Sequence, residues 1–111
     1  MVKFKVANKA DLAPGTMRAV EANGKILVLA NVDGRFWAMD GICSHKGGKL
    51  AEGKLQGVNV ICPLHRSTYD VRTGKVVNNV KIPLIGKASD LHVYNVSVEE
   101  NDVMVDVPAG S

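Results

Sequence analysis

Residues 43–65, CSHKGGKLAEGKLQGVNVICPLH, carry the pattern on which the interpretation of this chain depends. The segment begins with Cys43-Ser44-His45 and ends, after the sixteen residues 46–61, with Cys62-Pro63-Leu64-His65. Each end supplies one thiolate and one imidazole, so that the two ends together form a set of four ligands. Because the set uses both cysteines of the chain and two of its three histidines, the pattern predicts a metal centre.

Three kinds of chemistry fit this donor set. The two cysteines can form one disulfide, as in secreted domains, although a histidine close behind each cysteine favours metal ligation. Two thiolates and two imidazoles can also hold one tetrahedral zinc ion, or an iron–sulfur cluster in which one iron takes both cysteines and the other both histidines. Each arm brings a cysteine followed by a histidine, so two parallel loops would place the sulfurs at one depth and the nitrogens at another. This arrangement favours two metals.

The length of 111 residues predicts a single domain, residues 1–111. The hydrophobic share of 46% and the charged share of 23% are typical of a globular protein. We expect no signal peptide, because residues 1–6 alternate between charged and apolar residues. The longest strongly apolar run, Ile26–Ala30, is far shorter than the roughly 20 residues that cross a bilayer. We therefore expect a cytoplasmic protein that does not enter a membrane, and we expect it to be a monomer.

The positive charge is concentrated around the predicted ligands. Between Gly41 and Lys75 there are six basic and two acidic residues, a net charge of +4, whereas the rest of the chain carries −1. Such a surface attracts a partner with an acidic docking face. The chain has no basic run interleaved with aromatic residues, so nucleic-acid binding is not expected.

Short runs that alternate between apolar and polar residues, separated by turn residues, predict an all-β fold. Asn23-Gly24 and Asp33-Gly34 predict two-residue hairpin turns, and Asn101-Asp102 predicts a third. One helical turn is expected within residues 9–15. The predicted strands are Lys3–Ala7, Met17–Ala22, Lys25–Asn31, Arg35–Asp40, Val58–Cys62, Ser67–Asp70, Leu91–Glu99 and Val103–Val107.

Taken together, these features resemble the Rieske [2Fe–2S] proteins, and especially the small soluble Rieske-type ferredoxins. The spacing Cys43-x-His45 and then Cys62-Pro63-x-His65 carries the resemblance, which extends over nearly the whole chain. It implies antiparallel β-sheets that form a base domain, and a cluster-binding subdomain made of two loops, about residues 41–57 and 62–74. Further matching positions are Asp11–Gly15, the turn Asn31–Gly34, Gly47-Gly48 with Leu50, and Tyr69-Asp70 with Thr73-Gly74-Lys75.

The resemblance also implies one [2Fe–2S] cluster per chain. Cys43 and Cys62 would bind the inner iron, and His45 and His65 the outer iron near the protein surface. Such Cys₂His₂ centres have reduction potentials of roughly −150 to +300 mV, against about −400 mV for plant-type ferredoxins.

Five further residues are expected around the cluster. Gly47 and Gly48 would let backbone N–H groups approach the sulfides, and Pro63 would fix the second loop. The hydroxyls of Ser67 and Tyr69 match positions that donate hydrogen bonds to cluster sulfur in high-potential members of the family; local packing is the alternative for each of them.

Three positions depart from patterns known in the family. Respiratory Rieske proteins carry an extra cysteine in each loop, whereas Gly48 and Leu64 stand in those places here, so no disulfide is expected. Arg66 follows the last ligand, where a glycine is common.

The resemblance implies a one-electron carrier that passes electrons between a reductase and an acceptor such as an oxygenase. We expect no enzymatic activity, because the loops offer no free nucleophile, no acid–base pair and no open metal position. The alternative is a zinc-stabilised structural or protein-binding module. His92 is expected on the surface or in packing, and Trp37 and Met39 in the core.

Overall fold

The structure is a computed structural model that describes residues 2–42, 48–63, 67–78 and 90–108. The predicted ligands Cys43, His45 and His65 lie outside the described residues, as do Gly47 and the segment 79–89. Within the described part, two short 3₁₀ helices, Lys9–Asp11 and Leu50–Glu52, accompany the strands β1 Val2–Asn8, β2 Thr16–Ala22, β3 Lys25–Val32, β4 Arg35–Asp40, β5 Lys54–Gln56, β6 Asn59–Ile61, β7 Thr68–Asp70, β8 Val76–Asn78, β9 Val93–Tyr94, β10 Val96–Glu99 and β11 Asp102–Val107.

The strands form three antiparallel sheets. The base sheet has the order β1-β11-β10, the central sheet β2-β3-β4-β9, and the small sheet β5-β6-β7-β8. The described residues contain no helix that is long and apolar enough to span a membrane. The prediction of an all-β fold with antiparallel sheets is therefore confirmed.

The central sheet separates two hydrophobic cores, because successive residues of a strand face opposite sides of the sheet. On one side, Leu27 and Leu29 of β3 pack with Phe36 of β4 and with the buried valines of the base sheet. On the other side, Val28 packs with Met39 and with residues of the small sheet. A strand that is apolar on both faces explains the uninterrupted run in the sequence of β3. The small sheet thus lies against the face of the central sheet opposite the base sheet.

The hairpin turns show how much of this arrangement is local. Asn23 and Asp33 both have a φ of 52°, and the glycine after each also has a positive φ, as a type I′ turn requires. The prediction for Asn101-Asp102 was wrong by one residue. The left-handed residue is Glu100, with a φ of 59°, while Asp102 already belongs to β11 and pairs with Glu99.

Other strand predictions also need correction. The predicted strand Leu91–Glu99 is two strands, β9 and β10, which belong to different sheets and are separated at Asn95. β5 and β8 were missed, and β5 lies inside the loop predicted over residues 41–57. Trp37 and Met39 were correctly placed in the core, although they face the opposite side of β4 from Phe36 and Ala38.

Candidate metal centre

The second predicted ligand segment, Cys62 to His65, begins directly after β6, which is paired with β7. Asn59–Ile61 pairs with Thr68–Asp70, and the N–H of Cys62 donates a hydrogen bond of 2.8 Å to the carbonyl oxygen of Ser67. This bond extends the ladder of β6 and β7 by one position. Cys62 is only 1% exposed and packs in the core between the central and small sheets.

The first predicted ligand segment is held at both ends in a similar way. Ile42 and Lys49 form an antiparallel bridge, and the N–H of Leu50 donates a hydrogen bond of 2.9 Å to the carbonyl oxygen of Gly41. Ile42 and Lys49 are therefore neighbours in space. Gly48, which was predicted to approach the cluster, is buried at the returning end of this segment.

We call the residues that hold the two segments the first stem, residues 41–42 with 48–50, and the second stem, residues 59–62 with 67–70. The chain that follows the first stem packs directly against the second. A Cβ atom on Gly53, which follows the first segment, would collide with the carbonyl oxygen of Ile61 in the second stem. The same Cβ would lie 3.2 Å from Cδ of Pro63. Leu50 is fully buried in the core that contains Cys62. The described residues that follow the first ligand segment therefore lie against Ile61 and Cys62, at the start of the second.

Ser67 places a buried hydroxyl next to Cys62, whose N–H bonds its carbonyl oxygen. The residue is 0% exposed, and its Oγ has no hydrogen-bond partner among the described residues. A buried polar group without a partner costs about 1–3 kcal/mol, so such groups in native proteins normally have one. A hydroxyl donor beside Cys62 fits a sulfur acceptor held at that position. The donor set and this hydroxyl are thus compatible with a bound iron–sulfur cluster.

The remaining predicted residues have distinct surroundings. Tyr69 is 0% exposed and packs in the same core as Cys62. Pro63, which follows Cys62 in the chain, is exposed. His92, the third histidine, is also exposed and precedes β9, which agrees with the expected surface role.

The charges near the stems are mostly free to interact with solvent or a partner. Lys49, Lys54 and Lys75 are exposed. Arg72, in contrast, is held by Asp70, with 2.9 Å between its Nη2 and the carboxylate Oδ2. This hydrogen-bonded guanidinium lowers the pKa of the Asp70 carboxyl. The positive charge of Arg72 is therefore largely neutralised by Asp70.

Sequence reasoning missed the residues that hold the first stem in place. Asp40 accepts a hydrogen bond of 2.6 Å from the hydroxyl of Tyr94. Burial, and then this bond to the carboxylate, raise the pKa of Tyr94 well above its ordinary value, so the phenol remains a donor. Gly41 approaches β3 so closely that a Cβ would lie 2.8 Å from the backbone carbon of Leu27. The one available signal was the Asp-Gly pair at a strand end, just before the first cysteine.

In an all-β chain, a buried cysteine next to a buried hydroxyl without a described partner fits a metal site, and an iron–sulfur centre is one kind of site that uses these donors. Comparison with known proteins gives the family. The Rieske [2Fe-2S] domain family model matches residues 2–104. The chain belongs to this family.

Its relatives include ferredoxin components of dioxygenase systems. The chain is 35% identical over 95 residues to the ferredoxin component of the naphthalene 1,2-dioxygenase/salicylate 5-hydroxylase systems of a Ralstonia species, with 86% of each chain covered. It is 34% identical to the ferredoxin component of biphenyl 2,3-dioxygenase from Rhodococcus jostii, with 99% of this chain and 97% of the relative covered.

Solved structures agree. A chain in the complex of reduced oxygenase and oxidised ferredoxin of carbazole 1,9a-dioxygenase matches with a TM-score of 0.79 and 32% identity, over 94% of this chain and 92% of that one. The protein is therefore an electron-transfer protein that holds one Rieske [2Fe–2S] cluster, and not a catalytic subunit.

Proposed function

We propose that Cys43, His45, Cys62 and His65 are the cluster ligands, the cysteines on the inner iron and the histidines on the outer iron. The observation that supports this proposal is that the described residues after the first ligand segment, Leu50 and Gly53, lie against Cys62 and Ile61 at the start of the second. When bound, the cluster takes up one electron and releases it again.

The surrounding residues support this role in different ways. The burial of Cys62 excludes water from its thiolate, and the hydrogen bond from its N–H to Ser67 holds the second stem together. Ser67 would donate its unpartnered hydroxyl to cluster sulfur. We propose similar supporting roles for Tyr69, for the backbone at Gly47 and Gly48, and for Pro63.

We further propose that the protein carries electrons from a reductase to the terminal oxygenase of a multicomponent system. Its relatives are ferredoxin components of such systems. The exposed Lys49, Lys54 and Lys75 suit a partner whose docking face is acidic. A groove of about 400 Å³ along β5 also reaches Cys62 and Pro63, and a partner would gain access to the stems there.

We propose that residues 1–111 form one domain, monomeric and cytoplasmic, that binds neither membrane nor nucleic acid.

The visible spectrum of the purified protein tests the cluster directly. We expect a red-brown protein with about two irons and two acid-labile sulfides per chain, which is bleached by dithionite and then shows the EPR signal of a reduced [2Fe–2S] centre. The rival, a zinc-stabilised module, would use the same four side chains. A colourless protein with one zinc per chain would establish it and exclude the electron carrier.

Replacement of Ser67 by alanine separates its role toward the cluster from its role in the fold. In the apoprotein we expect no loss of stability, because the substitution removes a buried hydroxyl that has no partner. In the holoprotein we expect the reduction potential to fall by about 60 mV, since a donor to sulfur stabilises the more negative reduced state by about 1.4 kcal/mol.

Ser97→Ala is the matched control for this potential measurement. Ser97 lies on β10 in the base sheet, on the far side of the central sheet from the stems. Its replacement should leave the potential unchanged. A Ser67→Ala protein with the parent potential and a less stable apoprotein would instead assign the hydroxyl to local structure.

A further inference from the structure

Asp40 is fixed by three hydrogen bonds at the point where the chain leaves β4. Its Oδ1 accepts the bond of 2.6 Å from the Tyr94 hydroxyl, and its Oδ2 accepts one of 3.2 Å from the N–H of His92. Its own N–H donates a bond of 2.9 Å to the carbonyl oxygen of His92. A carboxylate that accepts from a phenol forms a charge-assisted hydrogen bond, which is stronger than a neutral one. The side chain is therefore tied firmly to residues 92–94.

The segment that holds Asp40 is itself attached to the small sheet. The N–H of Leu91 donates a hydrogen bond of 2.7 Å to the carbonyl oxygen of Gly74, and the N–H of Val76 donates one of 2.9 Å to Oδ1 of Asp90. Leu91 also packs against the core that contains Cys62. We call residues 90–94 the strap. Because the strap is bonded both to the small sheet and to Asp40, it fixes the position of Asp40 relative to the second stem.

Gly41, the residue after Asp40, is also held in place, and it connects Asp40 to the first ligand segment. The N–H of Gly41 donates a hydrogen bond of 3.0 Å to the carbonyl oxygen of Ile26, and its own carbonyl accepts the bond from Leu50. Its contact with the backbone of Leu27 leaves no room for a side chain. With Asp40 and Gly41 both held, Ile42 leaves the central sheet in a defined direction, directly before Cys43.

We propose that Asp40 is a positioning residue for the cluster: through Tyr94 and the strap, its carboxylate fixes the path by which the chain enters the first ligand segment. The proposal rests on the ligand assignment above. Asp40 touches none of the proposed ligands among the described residues; it acts on Cys43 through the backbone of Gly41 and Ile42.

Four variants test this role: Asp40→Ala, Asp40→Asn, Tyr94→Phe and the double variant Asp40→Ala/Tyr94→Phe. The measurements are the rate at which the visible absorbance is lost in excess EDTA and the g values of the reduced protein in EPR. We expect Asp40→Ala to lose the cluster about tenfold faster than the parent, with shifted g values, because it removes both side-chain bonds. Asp40→Asn and Tyr94→Phe should lose it at intermediate rates, because the amide replaces the charge-assisted bond by a weaker neutral one and phenylalanine removes only the bond to the hydroxyl.

The double variant decides whether Tyr94 acts through Asp40. If it does, Asp40→Ala/Tyr94→Phe loses the cluster no faster than Asp40→Ala alone. Additive effects would mean that the two residues act independently, and would overturn the proposal. So would parent-like rates and g values in Asp40→Ala.

Asn31→Ala is the control for general destabilisation. Asn31 is 4% exposed at the opposite end of β3, where its side chain bonds the carbonyl of Leu12 and the N–H of Gly34, both at 2.8 Å. Its replacement should lower the melting temperature and leave the g values and the rate of cluster loss unchanged. Changes equal to those of Asp40→Ala would refute the positioning role.

The parent protein separates this proposal from the proposed function. A parent protein without the cluster spectrum would refute the proposed function itself. A parent with the cluster spectrum, beside an Asp40→Ala protein with the same g values and rate of cluster loss, refutes only the positioning role.

Discussion

The His65→Ala protein is expected to be colourless, with an iron content more than tenfold below that of the parent and no Rieske EPR signal. The proposed outer iron has two imidazole ligands, and loss of either leaves a coordination position that no other described side chain near the stems replaces. Changes to groups that merely support ligands already cost 10–100-fold in metal affinity, so loss of a ligand should cost more. His45→Ala should give the same result.

His92→Ala is the matched control, since it removes the one histidine that is not a proposed ligand. His92 is exposed, and its contacts with Asp40 use its backbone N–H and carbonyl, which alanine retains. The variant should keep the colour, iron content and EPR signal of the parent. A His65→Ala protein that stayed red-brown with unchanged g values would remove His65 from the ligand set.

Features of the fold that depend on neighbouring residues could be predicted from the sequence. The Asn-Gly and Asp-Gly turns adopt positive φ at both residues, and the apolar run of β3 is buried. The turn at residues 100–101 could not be placed correctly, because Asn and Asp favour positive φ more than Glu does. Here the pairing of Glu99 with Asp102 overrides that preference and places Glu100 in the left-handed region.

The missed strands have a related cause. β5, Lys54-Leu55-Gln56, offers only one apolar residue, so its pairing with β6 leaves almost no pattern in the sequence. The residues of the site also differ in how far the sequence alone identifies them. Cysteine and histidine identify themselves as metal ligands by their chemistry, whereas the role of Asp40 depends on Tyr94, which is 54 residues away in the chain. Contacts of that kind become visible only when the fold is known.

Gly53→Ala is expected to destabilise the protein by about 3 kcal/mol, the upper part of the range for overpacking in a close-packed interior. A Cβ at this position overlaps the carbonyl oxygen of Ile61, which is backbone and cannot move aside as a flexible side chain could. Residue 53 and the backbone of Ile61 would have to move apart, which disturbs the pairing of β5 with β6 next to Cys62. We therefore expect a fall in melting temperature of about 12 °C, at roughly 4 °C per kcal/mol for a chain of this size, and a reduced iron content.

Gly57→Ala provides the comparison that isolates the contact between the stems. Gly57 follows β5 in the same segment and has a φ of +61°, but a Cβ there would meet no atom within 4 Å. Alanine should therefore cost only the left-handed backbone penalty of about 1 kcal/mol, and the iron content should remain that of the parent. Thermal unfolding and iron analysis of the two variants measure the difference. Equal losses in both would show that the approach of Gly53 to Ile61 does not hold the stems together, since backbone strain alone would then account for the effect.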